Sequence, residues 1–114
     1  MYKGGCIIPG IHTAFDSLSK LTAQLPKVGF SHSSKLPAKN TIQALEAGAF
    51  YGYRGMIREI LEEIEKNLSW SQRPLRIATG GIVDKLAFNE DLFDVLDREL
   101  TLRGLWHLHL LNEN

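Results

Sequence analysis

Apolar and polar positions alternate along this chain in a pattern that predicts strands and helices in turn. Lys3-Gly4-Gly5-Cys6-Ile7-Ile8 reads as a short strand closed by the Pro9-Gly10 turn. Ile11, Phe15, Leu18, Thr22 and Leu25 then recur at alternating spacings of four and three, one face of a helix that Pro26 ends. Residues 27–39 carry Ser, Lys and Pro without a period and read as a loop. Asn40 can cap the longest helix, with Gln43 placed as in a capping box. Ile42, Leu45, Ala49, Tyr53, Met56, Ile57, Ile60, Leu61, Ile64 and Leu68 carry that helix to Leu68, with Glu62–Lys66 as an i,i+4 ion pair on its polar side. Residues 75–79 predict a second strand, broken by Gly80-Gly81. A short helix around 82–88, an acidic irregular stretch over 89–99 and a last helix capped by Thr101 complete the chain. That last helix carries Leu102, Leu105, Trp106, Leu110 and Leu111.

Two features exceed what this periodicity requires. Ala44, Gly48, Gly52 and Gly55 lie four, four and three apart, so they share one stripe of the long helix. A mid-helix glycine costs about 1 kcal/mol relative to alanine. Close approach of a second helix, within the chain or across a dimer, would offset that cost; a kink near Tyr51–Gly55 is the other reading. The second feature is Thr79-Gly80-Gly81 at a strand's carboxyl end. Glycines there let backbone come close to a ligand, at the edge where α/β sheets bind them, although most strand-Gly-Gly turns are simply turns.

Composition narrows the function classes. The 114 residues suit one domain, 44% hydrophobic and 23% charged. Thirteen basic and thirteen acidic residues cancel, and Lys20, Lys27, Lys35 and Lys39 are dispersed, which argues against nucleic acid or an anionic membrane as partner. The single cysteine, Cys6, excludes an internal disulfide and is expected to pack as a small hydrophobe. No signal-peptide pattern and no apolar run of membrane-spanning length is present, so a cytoplasmic location is expected. Candidate chemistry is sparse. His107 and His109 are two apart, a spacing that a helix does not bring to one face. Asp91, Asp94 and Asp97 read as an acidic surface turn rather than a metal loop. The sequence has no P-loop, nucleophile elbow or Cys/His cluster.

Four segments in order carry a resemblance. Gly4-Gly5-Cys6-Ile7-Ile8-Pro9-Gly10 matches a Gly-Gly-x-Ile-x-Pro-Gly strand and turn, and Thr22-Ala23-Gln24-Leu25-Pro26-Lys27-Val28 a Thr-Ala-x-Leu-Pro-x-Val helix end. Asn40-Thr41 through Gly48 to Tyr51-Gly52-Tyr53 matches an Asn-Thr helix with later Gly and Tyr-Gly. Ala78-Thr79-Gly80-Gly81 and Leu100-Thr101-Leu102-Arg103-Gly104-Leu105 match a glycine turn and a closing helix. Together they resemble the type III pantothenate kinases, over nearly the whole chain.

The resemblance implies an α/β fold, the second lobe of an actin-like, acetate-kinase-type (RNase H-like) ATPase. The family's Asp-x-Gly-Asn-Thr phosphate loop, its Gly-x-Asp-Arg segment with the general base, and its Asp-x-Gly-Thr strand are absent from this sequence. The chain is therefore expected to be roughly the carboxy-terminal half of such an enzyme, without a catalytic residue of its own and inactive alone. The implied reaction is in-line phosphoryl transfer from ATP to the hydroxyl of pantothenate. Mg²⁺ and a monovalent cation (K⁺ or NH₄⁺) would be bound mainly by the other half. By resemblance, Thr41 hydrogen-bonds pantothenate, Leu25 and Ala44 are its apolar neighbours, and Gly80 and Gly81 lie near the adenosine. Partners implied are pantothenate, ATP, and either a second copy in a homodimer or the amino-terminal lobe. Ala38 stands where the family often has glycine before Asn-Thr. A non-catalytic interaction or accessory module built on the same fold is the competing reading.

Overall fold

The computed structural model of the chain describes residues 1–21, 35–69, 71–81 and 89–113. They fall into two units, Met1–Leu68 and Ser69–Asn114, each described by itself.

In the first unit, helix α1 (Ile11–Leu21) starts where the Pro9-Gly10 turn ends, with the Ala14 amide donating to the Gly10 carbonyl at 2.9 Å. Of the predicted apolar face, Ile11 is fully buried and Phe15 half-buried, whereas Leu18 is exposed. The predicted extension of this helix to Leu25, and the loop from 27 to 34, lie outside the described residues. The long helix forms from Thr41 to Asn67, but not as one regular α-helix. Helix α2 (Thr41–Ala47) passes through a π-helical turn, Gly48–Gly52, into helix α3 (Tyr53–Asn67). Glycines bound this wider turn at both ends; with no side chains, they do not crowd the neighbouring turns. Ala47, Ala49 and Tyr53 are the buried residues of the helix. Tyr53 and Phe15 meet ring to ring, centroids 6.5 Å apart, so α1 packs on the start of α3. Lys66 pairs with Glu63, one turn back at 2.6 Å, rather than with the predicted Glu62.

The predicted strand at 3–8 does not form. A strand needs a ladder partner for its amides and carbonyls, and the described residues supply none to this segment, in which Gly4 adopts φ +125°. Cys6 is accordingly exposed rather than packed in a core.

In the second unit, strand β1 (Ile77–Ala78) is shorter than the predicted 75–79. It pairs in parallel with strand β2 (Val95–Leu96), Ile77 opposite Val95 and Ala78 opposite Leu96. The stretch over 89–99, read from sequence as irregular, thus holds helix α4 (Asn89–Leu92) and a strand. Two-residue strands carry too little alternation to be seen as a period. The helix expected around 82–88 lies outside the described residues. Ala78 and Leu92 are buried. Helix α5 (Leu100–Asn112) begins one residue before Thr101, which lies inside the helix and is not its cap. The class is α/β, as expected.

Candidate functional site

The two groups of predicted site residues fall in different units. The first is the start of α2. Asn40 is extended (φ −147°, ψ 166°), and its side-chain oxygen accepts from the Gln43 amide at 2.9 Å, which satisfies one of the helix's free amides. Gln43 reaches back to the Lys39 amide at 3.5 Å, one residue before the position of a strict capping box. With its entry fixed in this way, the helix presents Thr41 and Ala44 three residues apart on an exposed side. Gly48, Gly52 and Gly55 are exposed as well, and a Cβ built on any of them meets no atom within 4 Å among the described residues. The close helix approach that the glycine stripe predicts is therefore not made within the described part of the chain. Leu25, the third residue assigned to this contact, lies outside the described residues.

The second group is the turn after β1. Gly80 has φ +105°, a backbone conformation that only glycine adopts without strain, and both Gly80 and Gly81 are exposed. They leave the carboxyl end of the parallel pair, the edge at which parallel sheets open toward ligands.

Asp94 and Asp97, read from sequence as part of an acidic surface turn, hold this sheet edge together. Asp94 accepts from the Arg76 amide at 2.8 Å and from Arg73 at 2.9 Å. The Arg76 amide, then the Arg73 side chain, hold the Asp94 carboxyl below the usual carboxylate range. The backbone of the same segment completes the ladder, with the Asp94 and Asp97 amides donating to the Arg76 and Ala78 carbonyls at 2.9 Å each. Asp97 pairs with Arg103 of α5 and accepts from the Glu99 amide at 3.1 Å. Asp94 and Asp97 therefore bracket β2 and tie it to β1 and to α5. The only sequence signal was their position on either side of Val95-Leu96, with arginines before the other strand.

His109 pairs with Glu113 at 3.1 Å, and no group of three or more His, Cys, Asp or Glu able to hold a metal ion occurs among the described residues. Nor is any described helix long and apolar enough to cross a membrane. A groove of about 540 Å³ runs between residues 3–6 and α3, lined by Cys6, Glu59, Ile60, Glu63 and Ile64 among others.

Comparison with known sequences decides what these elements belong to. The sequence profile of the family described as type III pantothenate kinase matches residues 1–63. A type III pantothenate kinase of Rhodospirillum centenum is 41% identical over 113 residues, covering 97% of this chain and 43% of the relative. The chain belongs to the type III pantothenate kinase family. Type III pantothenate kinases of Dehalococcoides mccartyi (34% identical, 98% of this chain, 42% of the relative) and Listeria monocytogenes (36%, 99% and 43%) match over the same extent. The chain thus spans about two-fifths of the length of these pantothenate kinases. The Thr41 and Ala44 exposed side lies inside the profile match, whereas Gly80 and Gly81 lie beyond it, within the reach of the longer matches.

Proposed function

We propose that this chain supplies the carboxy-terminal lobe of an ATP-dependent pantothenate kinase, which makes 4'-phosphopantothenate at the first step of coenzyme A synthesis. The match to pantothenate kinases over nearly its whole length, at 34–41% identity, carries this function. The lobe is of the actin-like type, and the α/β class, with β1 and β2 paired in parallel, is compatible with it.

Thr41 donates its hydroxyl to an oxygen of pantothenate, and Ala44 and Leu25 give the apolar surroundings. The exposure of Thr41 and Ala44 on one side of a well-capped helix supports that role. Gly80 and Gly81 pass close to the adenosine, and the positive φ of Gly80 supports a turn in which backbone, not side chain, faces the ligand. The helices α1 and α2–α3 serve a homodimer or join the rest of the enzyme, in the cytoplasm. The general base, the phosphate loops and the sites for Mg²⁺ and a monovalent cation (K⁺ or NH₄⁺) belong to the remainder of the enzyme. Among the described residues no group of three or more His, Cys, Asp or Glu fits such an ion.

The test is complementation. This chain is co-expressed with the part of the Rhodospirillum centenum kinase that its match leaves uncovered, and pantothenate-dependent release of ADP is followed. Turnover by the co-purified pair is expected. A pair that forms and releases no more ADP with pantothenate than without it would overturn the assignment.

A further inference from the structure

Helix α5 has the wrong pattern for the position it occupies. A helix at a protein surface carries one apolar stripe and a polar remainder, whereas one that is apolar all round is a buried helix. At 100° per residue, Leu100, Leu102, Leu105, Trp106, Leu108, Leu110 and Leu111 are spread around the whole circumference of α5, so no polar face is left. Their exposures nevertheless run from 39% to 73%, and no residue of the helix is buried. Monomeric proteins seldom leave a contiguous apolar patch larger than about 300–600 Å², and seven large side chains exposed on one thirteen-residue helix are on that scale or above it.

The distribution of these side chains also selects the occupant. A second copy meeting α5 across a two-fold axis would cover one stripe and leave the opposite leucines in water. Cover on all sides requires a surface that wraps the helix or receives it in a channel. The curated pantothenate kinases extend well beyond the matched region, which is only 42–43% of their length, so they contain ample chain to form such a surface. Two polar side chains of α5 fit this arrangement, since Arg103 is already paired with Asp97 and His109 lies 3.1 Å from Glu113, both partners belonging to their own unit.

We propose that α5 is an insertion helix, enclosed on more than one side by the portion of the kinase that this chain does not span. The inference rests on the reading of the chain as one lobe of that kinase. It goes further in adding α5, apart from α1 and α2–α3, as a surface that joins the lobes.

Trp106 and Leu108 test it, because two positions on a helix are 200° of rotation apart and so face nearly opposite ways. The tagged chain is co-expressed with the uncovered portion of the Rhodospirillum centenum kinase, and co-purification and amide hydrogen exchange over 100–112 are measured. The wild-type pair should co-purify, and the α5 amides should exchange at least ten-fold more slowly in the pair than in the chain alone. Trp106→Lys and Leu108→Lys should each reduce co-purification at least ten-fold, while the far-ultraviolet circular dichroism of the chain alone stays unchanged. Three results would each overturn the inference. The wild-type pair could fail to co-purify, or only one of the two substitutions could matter. Alternatively, protection of α5 could be complete in the chain alone, either rising with its concentration (a second copy) or independent of it (the chain's own residues). Activity separates this inference from the one beneath it. A pair that turns over and tolerates both substitutions removes the insertion role and leaves the kinase. A pair that depends on both yet has no pantothenate-dependent turnover removes the kinase and leaves the insertion.

Discussion

The Tyr53 hydroxyl donates to the Pro9 carbonyl at 3.0 Å, across forty-four residues of sequence, and so ties the start of α3 to the turn that launches α1. The Tyr53 ring is buried and meets Phe15. One side chain therefore joins the apolar and the polar contacts between the two helices. Tyr53→Phe keeps the ring and strands only a carbonyl at a partly exposed turn, so its cost should sit near the low end of about 0.5–1.5 kcal/mol. Tyr53→Ala also removes the buried ring and should cost about 3–5 kcal/mol. Urea melts of the chain and the two variants would measure both. Equal losses would mean that the hydroxyl, not the ring, dominates.

The second unit should weaken in acid through Asp94. Its carboxyl is held below the ordinary range by the Arg76 amide and by Arg73. A group whose pKa is lower folded than unfolded contributes stability above its unfolded pKa, about 3.9 for Asp, and loses it as pH falls through the lowered folded value. Asp94→Asn should therefore melt below wild type at pH 7. The gap between the two should close as pH falls from about 4 toward the lowered folded value of Asp94. A gap of constant size over that window would show that shape rather than charge makes Asp94 matter.

These two cases also show what the sequence could reveal and what it could not. The α1 spacing, the Asn40 cap and the reach of the long helix to its last turn follow from period and capping chemistry, and these are local. The π-helical turn lay in the same glycines that suggested close packing. A glycine stripe is compatible with several backbones, and only coordinates choose among them. Strand β2 and the Asp94–Arg73 contact were hidden for another reason. Each joins residues about twenty apart, and two residues of strand do not make a pattern. The strand expected at 3–8 failed because pairing is a property of two segments, of which the sequence pattern showed one. At the candidate site, the common exposed side of Thr41 and Ala44 follows from their spacing of three, while their assignment to pantothenate is a proposal drawn from motif order.

Gly80 and Gly81 should differ in their tolerance of a side chain, although both have open space around a built Cβ. Gly80 sits at φ +105°, so Gly80→Ala should cost about 1–3 kcal/mol in backbone strain. Gly81, with no such angle, should accept alanine with little loss of stability. In the complemented kinase, Gly80→Ala should raise KM for ATP more than KM for pantothenate. Thermal melts and steady-state kinetics read the two effects separately. A harmless Gly80→Ala would argue that the turn can relax into another conformation.

Thr41→Val replaces the hydroxyl by a methyl group at nearly constant shape. In the complemented kinase it should raise KM for pantothenate by an amount equivalent to about 1–3 kcal/mol, the range for stranding a hydrogen-bonding partner. KM for ATP should hardly change. Because Asn40 and Gln43, not Thr41, cap the helix, the substitution leaves the helix entry intact, and circular dichroism should confirm it. Equal weakening toward both substrates would point to assembly rather than to a pantothenate contact.

Gly52→Leu tests whether the open stripe of α2–α3 is used between molecules. Within the described residues a Cβ at Gly52 meets nothing within 4 Å, so a side chain starting there leaves the helix into open space among those residues. Leucine also favours helix more than glycine by about 0.8 kcal/mol. Taken by itself, the chain should therefore be unharmed or slightly stabilised. Any loss of association must come from a second surface that approaches the glycine backbone too closely for four added carbons. Sedimentation of wild type and Gly52→Leu at tens of micromolar, an order of magnitude suited to such contacts, separates the cases. The expected result is a self-associating wild type and a variant shifted toward monomer, with thermal stability equal or higher at dilutions where both are monomeric. A variant that associates as wild type does would show that the stripe faces solvent in the assembled protein. The glycines would then serve the π-helical turn alone.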